Sequence, residues 1–216
     1  MELKTKLYSE QLKQWPQSGK CILAQYTDEY VVVYQAYKPS IGKYTAEHQH
    51  FGGDFSFTRM SWIKTNFLWM MYRSGWGTKV DQEITLAIYL KRNYFETLLD
   101  QAYPSTNVHG LSKSEWDKQI TSTNVRLQWD PDHDPHGAKQ ERKAIQLGLR
   151  KEFLKPFSGE GIVAIEDISE FVSTQRKVVQ RNELDKLITP SESSFPITQE
   201  QTQSCLLYTS PSPRDS

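Results

Sequence analysis

Asp81 and Glu83 stand two residues apart, immediately before the apolar alternation ITLAIYL. A carboxylate at a strand edge inside a cleft works as a general base or steadies a positive centre, so these two are the candidate catalytic side chains. Just upstream, SWIKTNFLWMMYRSGWGTK, residues 61 to 79, sets three tryptophans, a phenylalanine, a tyrosine and two methionines among three cations. Its last six residues, Ser74 to Lys79, flank Trp76 with Gly75 and Gly77. Glycines let backbone N–H groups approach an anion closely, and Arg73 and Lys79 add charge there. The spacing is not that of a Walker loop, and the Lys-Ser/Thr ending is absent. Trp76 and Trp62 offer ring faces for stacking a base.

A third group of candidates lies inside strands. Gln35 continues the face of Val31 and Val33, Arg126 and Gln128 alternate with Val125 and Leu127, and Gln146 sits between Ile145 and Leu147. If helices cover that face, a buried arginine among glutamines must be paired or must surround a polar ligand. Gln35, Arg126, Gln128 and Gln146 are therefore candidate pocket walls. Each feature also has a plain structural explanation. The polar strand positions suit the wet face of an exposed sheet, the aromatic residues suit a core, and the two carboxylates suit a solvated strand start.

WDPDHDPHG, residues 129 to 137, gathers three aspartates and two histidines that could ligate a divalent cation. Pro131, Pro135 and Gly137 favour a solvated loop instead, and His48, His50 and His109 complete no ligand spacing. No metal site is assigned, and no cofactor follows from the sequence.

The elements that must position these residues are legible from periodicity. Two β-runs surround the Thr27-Asp28-Glu29 turn, and Pro39 opens a short helix that Ser40 caps and Gly52-Gly53 closes. Thr65 or Asn66 caps a helix through FLWMMYR, with Gly75 ending it in a left-handed conformation and Arg73 in its last turn. ITLAIYL predicts a half-buried strand; RNYFETLLDQA and SKSEWDKQI predict helices. VRLQW, KAIQLGL and GIVAIEDI add three strands, KEFLKPF a short helical turn, and SEFVSTQRKVVQRNELDKLI a closing amphipathic helix. The mixture predicts an α+β domain with a mixed, mostly antiparallel sheet and packed helices, residues 1 to 190, followed by a disordered tail, 191 to 216.

Within that tail, CLLYTSPSPRD, residues 205 to 215, reads as the conceptual translation of a transposon-type sequencing adapter. Setting aside Arg214 and Asp215 takes the charge balance from 26 against 26 to 25 against 25. Net charge stays at zero, which argues against a non-specific polyanion binder but leaves room for a local basic site. Of the two cysteines only Cys21 then remains, which suits a reducing compartment and an inert strand residue. The N-terminal stretch has no apolar run long enough for a signal or a span, so the expectation is a cytoplasmic protein with no membrane partner. A chain of this length buries roughly 70% of its unfolded surface, enough for one domain without a staple.

The sequence resembles the family of domain-of-unknown-function 4291, on VVVYQAY, on SWIKTNFLWMMYRSGWGTK followed by DQE, on VRLQWDP and on AIQLGL, across about residues 15 to 190. It departs from that pattern at Thr65, where proline is frequent, at Leu23, where arginine is common, and at Asp132-His133, where Glu-Arg is usual. The resemblance implies no activity. Separately, Asp81-Gln82-Glu83 resembles the acidic-x-Glu step of mono-ADP-ribosyltransferases, with FSFTRMS only approximating the Ser-Thr-Ser strand of that group. Three functions follow as expectations. The first is a domain binding a nucleotide or a nucleic-acid end, and acting on it as a transferase if it is an enzyme. The others are a non-catalytic interaction module and an ADP-ribosyltransferase-like, NAD-using enzyme.

Overall fold

The computed structural model describes residues 2–107 and 110–198, so His109 and everything from position 199 onward, the adapter-like segment included, lie outside the described residues. In chain order the elements are β1 (Thr5–Leu7), α1 (Tyr8–Leu12), β2 (Gly19–Lys20), β3 (Leu23–Ala24), β4 (Tyr30–Tyr37), α2 (Pro39–His48), β5 (Ser61–Lys64) and α3 (Phe67–Ser74). There follow β6 (Ile84–Lys91), α4 (Arg92–Asp100), β7 (Tyr103–Pro104), α5 (Lys113–Ser122), β8 (Val125–His133) and β9 (Lys139–Leu149). Two short 3-10 turns over KEF and KPFS precede β10 (Ile162–Asp167), α6 (Ser169–Gln180), β11 (Ile188–Pro190) and β12 (Ser193–Ser194).

The main sheet runs β10-β6-β4-β5-β9-β8-β7, with β2 attached alongside β9. It is antiparallel except at β7–β8 and β2–β9, the α+β architecture that the alternation of strands and helices predicts. One face is covered by α2 and α4, whose Phe95, Leu98 and Leu99 pack with Val31, Val33, Leu86, Ile88, Leu127 and Leu147. The other is covered by α3 and α6, with Phe67, Leu68, Met71 and Val172 over Tyr34, Val32, Ala87 and Tyr89. β6 is therefore buried on both faces rather than half-buried: every residue from Ile84 to Leu90 is enclosed. Period-two alternation marks a strand, but which faces are covered is decided by helices distant in sequence.

Several local expectations differ in their ends. The helix after Pro39 stops at Gln49, which takes the left-handed conformation at φ 58°, ahead of Gly52, and Ser40 donates to Asp54 instead of capping. The helix from Ser169 ends at Gln180, short of the expected length, and the chain turns through Asn182 at φ 58°. The ordered chain also runs past Pro190. Glu192 is buried at 6% exposure, Phe195 is buried at 5%, and Ser193–Ser194 pair with β3. The expectation of a loose tail from residue 191 is corrected as far as residue 198.

One feature of the sheet sets up the site. β4 and β5 share a single register pair, Tyr34 with Lys64, beyond which they diverge. Past that point β4 stays paired with β6 through Tyr37, while β5 pairs with β9. Side chains bridge the seam: Gln35 Nε2 donates to Ser61 Oγ at 2.7 Å and to the Trp62 carbonyl at 3.0 Å, and Tyr37 Oη lies 3.1 Å from Ser61 Oγ.

Candidate functional site

The seam between β4 and β5 opens into a cavity of about 540 Å³, roofed by α3. Strand register explains its floor. Lys64 lies opposite Gln146 and Gln146 opposite Gln128, so three polar side chains form one row across β5, β9 and β8 on the α3 side of the sheet. Directly opposed residues share a face, so the row is continuous. In the adjacent row Trp62 lies opposite Gly148 and Gly148 opposite Arg126. Gly148 leaves room for the indole: a Cβ there would sit 2.9 Å from the Trp62 ring and 2.7 Å from Met60 Sδ.

The roof is fixed by the local chemistry of α3. Asn66 caps the helix, its Oδ1 accepting from the Trp69 N–H at 2.7 Å, and Gly75 closes it at φ 59°. A second cap comes from far along the chain. Glu192 Oε1 accepts from the Phe67 N–H at 2.7 Å, a carboxyl where the helix dipole favours negative charge. Burial pushes this carboxyl well above the ordinary glutamate range, against the opposing pull of the Phe67 N–H and Arg142. So held, α3 aims Trp69, Met70 and Arg73 into the cavity.

Lys64 is the charged residue that the sequence reading missed. It is 7% exposed; Nζ donates to the Trp62 carbonyl at 3.3 Å and stands 4.9 Å from the centroid of the Trp69 ring. Neither Lys64 nor Arg73 makes an ion pair among the described residues. Burial, followed by the charge of Arg73, pushes the ammonium down from 10.5 to about 7, and Asp130 offsets only part of this. The Asp130 carboxylate is occupied by the amides of Gln128 at 2.9 Å and Gln146 at 2.6 Å. A signal for Lys64 does lie in the sequence: in Ser61-Trp62-Ile63-Lys64 the lysine shares a strand face with a tryptophan just before a helix apolar all round.

The lowered Lys64 couples stability to pH. Between about 7 and 10.5 the unfolded chain holds a proton that the folded chain has released, so stability rises with pH across that window. Lys64→Met should be more stable than wild type below about pH 7 and lose that advantage toward the ordinary lysine value, as urea denaturation at the two ends would read.

The expected site residues divide. Gln35, Arg73, Gln128 and Gln146 line the cavity together with Ser61 and Gln82, whereas Glu83, Asp81, Lys79, Trp76 and Arg126 do not. Asp81 faces a neighbouring hollow beside Arg59, at φ 64°, and its N–H donates to Glu83 Oε1 at 3.1 Å. Lys79 Nζ is turned back onto the Arg73 carbonyl at 2.5 Å. Trp76 packs edge-on to Phe67 and donates from Nε1 to the Pro135 carbonyl at 3.2 Å, so it braces its loop against the turn between β8 and β9. The glycine loop is not an anion cradle. Its N–H groups from Gly75 to Lys79 are spent on Tyr72, Met71 and Ser74 within the turn. Arg126 shares the face of the polar row, but Nη2 donates to the Ile120 carbonyl at 2.9 Å. With Arg150 bonded to the Thr121 and Thr123 carbonyls, it holds the C-terminal end of α5, where cations satisfy free carbonyls.

The Asp-His loop is corrected as well. β8 continues through His133, and Asp132 and His133 are buried at 1% and 3% exposure. Asp132 accepts a charge-assisted bond from Arg142, itself 2% exposed, and His133 stacks on Tyr72 at 3.6 Å between centroids. Only the turn from Asp134 to Ala138 is loop.

A model of the family described as Domain of unknown function (DUF4291) matches residues 21–195. The chain belongs to the DUF4291 family. No curated protein matches it. The DUF4291 span takes in every residue lining the cavity and runs past Glu192 to Phe195, so the distal cap of α3 lies within the matched region. No helix among its described residues is long and apolar enough to cross a membrane, and no group of three potential metal ligands occurs among them.

Proposed function

We propose that the cavity between β4 and β5 binds a nucleotide or the end of a nucleic acid. One observation carries the reading: Lys64 and Arg73, two cations without ion-pair partners among the described residues, meet there with four glutamines and the rings of Trp62 and Trp69. Among the described residues no aspartate or glutamate lines the cavity, and the Asp130 carboxylate beside Lys64 is held by the amides of Gln128 and Gln146. The buried Oε1 of Gln35 has no partner among the described residues, and an unpaired buried acceptor costs about 1–3 kcal/mol until a donor arrives. A nucleobase amino group is such a donor, and an accessible tryptophan face contributes roughly 1–3 kcal/mol to a stacked base.

Transferase chemistry on that ligand is part of the proposal; Glu83 and Asp81 stand outside the cavity, Asp81 on the neighbouring hollow. A cytoplasmic setting is part of it too. It is supported by a free Cys21 whose thiol burial pushes up to about 11, a structural cysteine and not a reactive one. An interaction module remains the second reading, favoured by the internal bonds of Lys79, Trp76 and Arg126.

A thermal-shift screen against mononucleotides, dinucleotides and short RNA tests the binding proposal. A ligand at a hundredfold its Kd should stabilise the protein by about 2.7 kcal/mol. Arg73→Gln should weaken that ligand by about tenfold or more, the scale of one charge-assisted contact, while leaving the unliganded melting temperature near wild type. Stabilisation that is equal in the variant would place the ligand elsewhere.

A further inference from the structure

The cavity holds one side chain whose chemistry exceeds binding. Lys64 Nζ is fixed at the end of a short strand by the Trp62 carbonyl and the Trp69 ring, on the wall of a 540 Å³ hollow. The charged groups facing it are Arg73 from α3 and Asp130 from β8, and the two amides on Asp130 keep that carboxylate from closing on the ammonium as an ion pair. Resting on the nucleotide-site reading, the geometry points to Lys64 as an amine nucleophile that condenses with an aldehyde on a phosphate-bearing ligand, such as the ring-opened sugar phosphate of a nucleic-acid end that has already lost its base. In that step Nζ forms a bond to the carbonyl carbon, both of its hydrogens and the carbonyl oxygen leave as water, and the product is an imine. Nothing is oxidised or reduced, and no leaving group has to be neutralised. Arg73 takes the phosphate, which leaves Lys64 free to react.

Titration supports the division of roles. A lysine lowered to about 7 is about half neutral at that pH, against roughly one part in a few thousand for an ordinary lysine. Neutral amine is the reactive form, as in other lysines activated by burial near a second cation.

Pyridoxal 5′-phosphate serves as the probe, because it joins a flat ring, a phosphate and an aldehyde. Protein would be incubated with a limiting amount, reduced with borohydride and mapped by peptide mass spectrometry. Expected is modification concentrated on Lys64, with a rate rising through about pH 7, and suppressed by whichever nucleotide gives a thermal shift. Lys64→Arg should lose that modified peptide, with its far-UV circular dichroism and unliganded melting temperature showing that the fold is kept. A nucleotide shift with label spread over exposed lysines and absent from Lys64 overturns the inference and leaves the binding proposal standing. Label on Lys64 without a shift from any nucleotide overturns the binding proposal and retains the reactive amine.

Discussion

A chain that stops at Pro190 is expected to lose most of its stability, whereas one that stops at Thr198 keeps it. Three losses add. Phe195 leaves a core where it packs edge-on to Tyr26 at 5.1 Å and Phe95 at 5.4 Å, and emptying a buried phenylalanine site costs about 3–5 kcal/mol. Glu192 leaves the N-terminus of α3, and a lost helix cap costs about 0.5–2 kcal/mol. Its backbone also deserts Trp15, whose indole N–H donates to the Glu192 carbonyl at 2.9 Å, and Gln11, which accepts from the Glu192 N–H at 2.8 Å. Together these are a large share of the total stability of a domain of this size. Urea denaturation of the two truncations reads the difference, and equal midpoints would mean that residues 191 to 198 contribute nothing.

Arg142→Met should cost about 3–5 kcal/mol, because it strands Asp132 in a site that excludes water. Arg142 is enclosed with Asp132 and stacks over Trp15 at 5.1 Å, so its removal leaves the Asp132 carboxylate without its cation. The defect should shrink as pH falls toward the carboxylate range, since a protonated Asp132 no longer needs a partner. Adding Asp132→Leu to the variant should restore much of the loss at neutral pH, because an apolar pair of similar volume is often as stable as a buried ion pair. Denaturation of wild type, single and double variants at about pH 5 and about pH 7 supplies the cycle. A single variant no less stable than wild type would remove the ion pair from any account of the fold.

How much of this was legible before the fold depended on how local the cause was. α3 was readable because Asn66, the apolar wrap of FLWMMYR and Gly75 all signal the same helix within a dozen residues. The polar row was half readable: Gln128 and Gln146 are out of phase with the apolar face of their own strands, but that they are opposed depends on β8–β9 register. Lys64 escaped because what makes it unusual is the cover of α3, a tertiary fact. Trp76 and its glycines misled for the opposite reason. Positive φ at Gly75, Trp76 and Gly77 marks a tight left-handed turn that consumes its own N–H groups, and glycine content alone does not separate that turn from an anion cradle. The tail escaped because one glutamate and one phenylalanine, in an otherwise polar stretch, meet partners far away in sequence; the Phe67 N–H that Glu192 caps is 125 residues distant.

The divergence of β4 from β5 also governs how experiments on this chain must be interpreted. The two halves of the main sheet, β10-β6-β4 and β5-β9-β8-β7, touch through one backbone register pair; around it they are joined by Gln35, Tyr37 and Ser61, by α3 laid across one face and by the shared apolar core on the other. The residues that would grip a guest are thus also the stitches that close the molecule. An occupant spanning the gap would act as a clasp between the halves, and exchanging Gln35 for alanine would loosen host and guest at once.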